Sequence, residues 1–439
     1  LFKQAVPIGI KAIAQAKKEY GEQHINYAIA SYNLAEAYYN LKEWSLAIPV
    51  YHQAIKAYTI AEKSSETSDI AFCNNSVGNI YLALKKYDSS AMFFEKSFAY
   101  FIKYPNEQYA NAITLMKNLS EVYLPLEKYK EASIVYIKML PIIEVKEGIV
   151  NENYIATLST LYTVYTKLNE YTLLEPYLQK ALLGIEKKKG ALSIEYAEVA
   201  FMLGDCLMAL QKNAAAIKTF KNAAIAYAIV FKNKDNKEVA YCNNKVGVIF
   251  LSDKKYDSSA LYFERAFSYF FVHFKEEYQN MIVVADNLSL VYIANNMDRE
   301  HIIVCQKVLP IIEKQETVLS NNYCNFVRHL CGALRGINDF AGMEKWARKL
   351  VTIREKMNGI KSAEYAEALD ILGVGLTALD NYKEAETILL KAIEIKKALV
   401  IKDTISLTTS YNGLADLYSR KGEFTKAYTY FNLSIFLLE

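Results

Sequence analysis

The sequence predicts an all-α solenoid of antiparallel helix hairpins. Three observations carry this. Apolar residues recur at i, i+3, i+4 and i+7 in paired stretches, the mark of two amphipathic helices joined by a tight turn. The paired stretch returns every 42 or 43 residues along the chain. Glycine and proline are scarce, 16 and 7 in 439 residues, which disfavours a turn-rich all-β fold.

The pattern is clearest from Asn33 to Ala54, NLAEAYYNLKEWSLAIPVYHQA. Leu34, Ala35 and Tyr38 share one helical face, and Ala47, Tyr51 and Ala54 share a second. Residues 1–20 read as the second helix of a preceding pair, with Ala5 and Ala12 where Ala47 and Ala54 fall one period later. Ten pairs follow, anchored at Leu34, Val77, Leu119, Leu161, Leu203, Val246, Leu288, Leu330, Leu372 and Leu414. The residue after each anchor is small at Ala35, Gly78, Ser120, Gly204, Gly247, Ser289, Gly373 and Ala415, so two helices can approach closely there. Tyr162 and Cys331 depart from that rule, and looser packing is expected at the fourth and eighth pairs. Tetrads such as LKEW, LKKY, LEKY, LNEY and LDNY mark the turn inside each pair.

A longer period is superimposed. KKYDSSA at 85–91 returns at 254–260, LPIIE at 140–144 returns at 309–313, and EYAE at 195–198 returns at 364–367. The duplicated unit is therefore a block of four pairs. The expected organisation is residues 1–23 as a lone second helix, 24–192 as block one, 193–361 as block two and 362–439 as a shortened third block, all in one continuous solenoid. Neither end reads as a polar capping helix, so a longer parent protein is expected.

The L-small-x-x-Y … A-x-x-x-F-x-x-A arrangement resembles the tetratricopeptide repeat. The usual Trp three residues before the anchor is absent, since Ser31, Asn74 and Met116 stand there, and the closing Pro is missing. The period of 42 makes each helix about one turn longer than in the 34-residue repeat. Long repeats of this kind are similar to the kinesin-light-chain type. The resemblance implies a right-handed superhelix with first helices lining a concave surface, and protein–protein recognition as its use.

Composition narrows the partners. There are 51 basic and 48 acidic residues, a net charge of +3, so no global field draws nucleic acid or an anionic membrane. No apolar run approaches the roughly 18–20 residues of a membrane span. The cysteines Cys73, Cys206, Cys242, Cys305, Cys324 and Cys331 form no C-x-x-C pair and read as buried thiols of a reducing, cytoplasmic compartment. The five histidines show no i, i+4 pair and no ligand spacing, so no metal is expected. Gly373 and Gly375 mimic part of a dinucleotide fingerprint but lie in a repeat helix with no strand before them. Sequons at Asn74, Asn118, Asn287 and Asn432 fall in helices. No cofactor and no enzymatic reaction is indicated.

Residues two before and two after each anchor are expected on the concave face. The partner-binding candidates are Tyr32, Asn75, Asn79, Lys117, Glu121, Asn244, Arg328, Arg335 and Asn412. Between the blocks, Lys117 becomes Asp286, Ser159 becomes Arg328, Glu121 becomes Leu290 and Asn79 becomes Val248, whereas Asn75 is kept as Asn244 and Asn412 holds the equivalent place in the third block. An amide both donates and accepts, which suits sequence-tolerant holding of a peptide backbone, and varied neighbours would set specificity. The plain alternative is an amide bonded to the adjacent helix. The resemblance adds that groove asparagines of kinesin-light-chain-like proteins hold peptide backbone. Arg328 and Arg335 share a helix face and, with His329 and Arg354, form the best basic patch. It would take a carboxylate or phosphate, or else pair with Asp339 or Glu344.

The expected function is thus a scaffold that binds a peptide or partner protein in its concave groove. Two alternatives stay open. The chain is the sensor arm of a parent carrying a caspase-like peptidase, kinase or DNA-binding effector, or it is a structural solenoid that homo-oligomerises.

Overall fold

The computed structural model describes residues 2–399 and 404–437. All regular structure among them is α-helical, in 21 helices. The first, α1, is Phe2–Tyr20. Ten hairpins follow. Those of the first block are α2–α3 (Ile25–Asn40, Trp44–Ala61), α4–α5 (Ser68–Ala83, Tyr87–Lys103), α6–α7 (Tyr109–Tyr123, Tyr129–Lys146) and α8–α9 (Glu152–Leu168, Tyr171–Lys189). The second block holds α10–α11 (Ile194–Ala209, Asn213–Val230), α12–α13 (Lys237–Ser252, Tyr256–Val272), α14–α15 (Tyr278–Ala294, Asp298–Gln315) and α16–α17 (Asn321–Gly336, Phe340–Asn358). The last two are α18–α19 (Ala363–Ala378, Tyr382–Ala398) and α20–α21 (Thr404–Arg420, Phe424–Phe436). This is the predicted hairpin repeat. The helices gather into two compact units, Leu1–Ala226 and Tyr227–Glu439.

Most first helices are started by a side chain, α6 and α14 being exceptions. Thr67, Ser193, Asn236, Ser320 and Ser362 stand in extended backbone and accept from the amide three residues on. Second helices start differently. The turn before them passes through one left-handed residue and enters the helix on an aromatic such as Trp44, Tyr87, Tyr129 or Phe340. That residue is Lys42, Lys85, Glu127, Asn169, Gln211, Lys254, Asn296, Asn338 or Asp380, with φ between 54° and 62°, and only at the tenth hairpin is it a glycine, Gly422. A Cβ in this region costs roughly 1–2 kcal/mol. Nine hairpins accept that cost because the αL residue closes the first helix: the next amide bonds back five residues, as Lys86 N does to Tyr81 O at 2.8 Å and Lys255 N to Phe250 O at 2.8 Å.

The small residue after each anchor is a socket. A Cβ on Gly78, Gly204, Gly247 or Gly373 would fall 2.5, 2.7, 2.6 or 2.6 Å from the side chain of Phe94, Phe220, Phe263 or Leu389, sixteen residues on in the second helix. The three aromatics and Leu389 are fully buried. At the eighth hairpin, where Cys331 replaces the small residue, the position sixteen on is Ala347, and both are buried. Volume has moved from one helix to the other. At the fourth hairpin the Tyr162 hydroxyl leaves the seam and donates to Asp205 of the next first helix at 2.6 Å.

Successive hairpins are tied by tyrosines four residues after the anchor. Tyr292 Oη donates to Glu264 at 2.9 Å and Tyr418 Oη to Glu386 at 2.7 Å, each Glu lying on the preceding second helix. Tyr123 and Glu95 repeat the contact. In the second unit one buried apolar cluster runs from Ala240 through Phe263, Leu288, Leu330, Leu372 and Leu414 to Ala427. All six cysteines are buried, and none forms a disulfide. Gly373 and Gly375 lie inside α18, as expected.

Candidate functional site

The polar faces of the first helices hold three kinds of residue: those engaged by the fold, amides left incomplete, and those left open.

Several candidates belong to the fold. Tyr32 packs edge-on against Tyr51 at 6.2 Å, and burial with the nearby Glu36 carboxylate raises its hydroxyl pKa far above the ordinary value. Asn79 accepts from Asn118 Nδ2 at 3.3 Å, which links two first helices. Glu36 accepts from Tyr51 Oη at 2.6 Å and Ser76 Oγ at 3.0 Å. Asp370, expected on the open face, is buried instead. Its Oδ2 takes Lys396 Nζ, and Ser410 Oγ donates to the same oxygen at 2.9 Å. Lys396 also donates to Ser406 O at 2.8 Å and to Ser410 Oγ at 3.0 Å. Burial raises the Asp370 pKa, against the pull of Lys396 and Ser410.

The basic patch is smaller than the sequence suggested. His329 is buried, with Nε2 3.1 Å from Asp286 Oδ1, a bond that lowers the Asp286 pKa. Arg354 donates to Asn321 Oδ1 at 2.9 Å. Neighbours on a helix point about 100° apart, so Arg328 can face out while His329 faces in. The acids expected to neutralise the arginines are occupied elsewhere. Asp339 caps α17 by accepting from Gly342 N at 2.9 Å, and Glu344 pairs with Arg348 at 2.8 Å. Arg328 and Arg335 are exposed, and neither has a carboxylate within ion-pair distance among the described residues. They line a pocket of about 570 Å³ formed by α14 and α16 to α20. Lys117, Glu121 and Asn412 are exposed on α6 and α20.

Asn75 and Asn244 are incomplete. Each side chain is half-buried, and each Oδ1 is shut off from solvent with no hydrogen-bond donor. The two positions are 169 residues apart, in α4 and α12, and the same oxygen is unsatisfied in both. The expectation that these amides bond to the adjacent helix is not met at the oxygen. A buried acceptor without a donor costs about 1–3 kcal/mol.

One group was missed in the sequence. His301 on α15 is fully buried and neither ring nitrogen has a hydrogen-bond partner, while its ring centroid lies 5.5 Å from that of His329. Burial lowers its pKa to about 4. No set of three or more His, Cys, Asp or Glu side chains among the described residues is arranged to hold a metal. No helix among them is long and apolar enough to cross a membrane.

Family models described as tetratricopeptide repeat match residues 30–59, 69–144, 366–400 and 408–435. No curated protein matches the chain. Among solved structures, a putative kinesin light chain with nearly identical TPR-like repeats from Podosopora anserina is 11% identical, over 46% of this chain and 95% of that one, with a TM-score of 0.40. The apo form of RapI is 15% identical, over 74% and 97%, with a TM-score of 0.47. Aspartyl phosphate phosphatase F from Bacillus subtilis is 13% identical, over 93% of each chain, with a TM-score of 0.37. At these values nothing of a ligand or an activity transfers.

Proposed function

We propose that this chain, a tetratricopeptide-like repeat protein, recognises an extended peptide or partner segment on the polar faces of its first helices and performs no chemistry of its own. The observation that carries the reading is the pair of unsatisfied amide oxygens at Asn75 and Asn244. An amide's terminal torsion is soft, so a half-exposed Asn can turn its oxygen to meet a backbone N–H. The donor that the fold withholds is then supplied by the ligand, and Nδ2 remains to donate to a backbone carbonyl. The duplicated block of four repeats kept this amide, as it kept Asn74 as Asn243, while charges at other open positions of the first helices changed, as from Lys117 to Asp286. Exposed Lys117, Glu121 and Asn412 would then discriminate among sequences. The 42-residue period is similar to that of the long, kinesin-light-chain type, and six buried thiols, none of them in a disulfide, suit a cytoplasmic setting.

Selection of random dodecapeptides displayed on phage against the full chain tests this. Enriched peptides should lose about tenfold or more in affinity for Asn75→Ala/Asn244→Ala, whose melting temperature should stay level or rise because two unsatisfied acceptors are gone. Failure to enrich any peptide, or equal affinity for the double variant, would overturn the reading.

A further inference from the structure

Arginine is almost absent from this protein. Of 51 basic residues only seven are Arg, residues 1–226 contain none, and four of the seven fall between Arg328 and Arg354 in a single repeat. The equivalents of Arg328 and Arg335 in block one are Ser159 and Thr166. Lysine serves elsewhere as the surface cation, so a positive charge alone does not account for arginine here. Arginine's planar fork binds an oxyanion through two parallel hydrogen bonds, which lysine cannot do.

The repeat that gathered the arginines also carries the pocket of about 570 Å³. This is the size of a small-molecule site. Leu290, Ile371 and Val374 supply an apolar lining. Arg328 and Arg335 enter from α16, seven residues and so roughly 10 Å apart along the helix. Asp286, whose carboxylate feels the charge of Arg328, is already bonded to His329. The acids that line the pocket are on α18: Asp370, held by Lys396, and the exposed Glu367. The cationic side of the pocket is therefore α16.

We infer that this pocket is a binding site for an amphiphilic oxyanion, an apolar body ending in a carboxylate or phosphate. The anion is gripped by Arg328 and Arg335, and the tail lies over Leu290, Ile371 and Val374. Displacing water from the apolar lining supplies affinity, and the arginine pair supplies selection for the anion. The site does not depend on peptide binding through Asn75 and Asn244.

Isothermal titration of the full chain with octanoate, octyl phosphate and octanamide tests the assignment. At least one of the two anions should bind saturably, and octanamide at least tenfold more weakly. Tighter octyl phosphate identifies a phosphate ligand; equal or tighter octanoate identifies a carboxylate. Arg328→Gln/Arg335→Gln should weaken the anion at least tenfold and leave octanamide unchanged, which also shows that the variant is folded. Asn75→Ala/Asn244→Ala should bind the anion as wild type does, so the two sites fail separately. No saturable binding of either anion, octanamide binding equally well, or an arginine variant that retains anion affinity would each overturn the proposal.

Discussion

Replacing His301 with leucine should stabilise the protein, and more so in acid. The ring is fully buried with both nitrogens unpartnered, beside the His329 and Tyr292 rings. Each unmade hydrogen bond of this kind costs about 1–3 kcal/mol, and a swap of similar volume costs under about 1.5 kcal/mol in repacking. With two nitrogens unpartnered, the net gain near neutral pH is therefore about 0.5–4.5 kcal/mol. The proton adds a second effect. The folded pKa is lowered to about 4 from 6.5. Above pH 6.5 neither state binds the proton and the site has no pH dependence. Between 6.5 and about 4 the unfolded chain takes a proton that the fold refuses, so stability falls as pH falls, by about 1.4 kcal/mol per unit. At pH 5 the loss reaches about 2 kcal/mol, and it levels off near 3 kcal/mol below pH 4. His301→Leu removes this loss. Asp286, whose pKa is lowered by His329, acts only below the carboxylate range and does not blur the window. Urea unfolding followed by far-UV circular dichroism, with variant and wild type compared at pH 7 and pH 5, measures both effects. The advantage of the variant should widen by about 2 kcal/mol over that interval. Parallel curves for the two proteins would refute the assignment of an uncharged, unpartnered ring.

Three further outcomes are expected. Gly247→Ala puts a Cβ 2.6 Å from Phe263 and should cost about 1–3 kcal/mol, part of it recovered by Phe263→Leu; a urea midpoint unmoved by the single change would contradict the socket. Lys254→Gly relieves a left-handed Cβ at φ 56° and should gain up to about 1 kcal/mol after glycine's extra unfolded-state entropy, read as a raised melting temperature. Lys396→Met strands the buried Asp370 carboxylate and should cost about 3–5 kcal/mol, whereas Asp370→Leu/Lys396→Met should come close to wild type; equal losses in both would argue against a desolvated pair.

The hairpin order was legible because it depends on which residues are large, small or apolar at a fixed period. The glycine sockets follow from the same spacing: Gly78 and Phe94 sit sixteen residues apart, and so do Gly204 and Phe220. The Asp370–Lys396 pair was not legible from a face-by-face reading, since a carboxylate on a polar helix face looks solvated until its partner is known. A signal did exist. A spacing of 26 residues joins a first helix to the far half of its own second helix, as in Tyr27–Gln53, Tyr323–Lys349, Tyr365–Lys391 and Asp370–Lys396. Opposite charges at that spacing point to the pair. His301 gave no such signal, because a burial without partners is defined by what several neighbouring elements fail to supply. The unmet oxygens of Asn75 and Asn244 were hidden for the same reason, although the recurrence of the amide marked the position.

The crowding of arginine into one repeat makes the protein unusually easy to interrogate by covalent labelling. A dicarbonyl reagent such as phenylglyoxal attacks guanidinium groups and spares ammonium groups. On this chain its targets are seven side chains, none of them before residue 227. Arg348 and Arg420 are engaged by carboxylates, and Arg328 and Arg335 stand open. Arg265 and Arg299 are exposed as well, on α13 and α15, so modification mapped by mass spectrometry would read Arg328 and Arg335 against two internal references, and suppression confined to α16 by an added compound would reveal occupancy there without a mutation and without knowledge of the natural ligand.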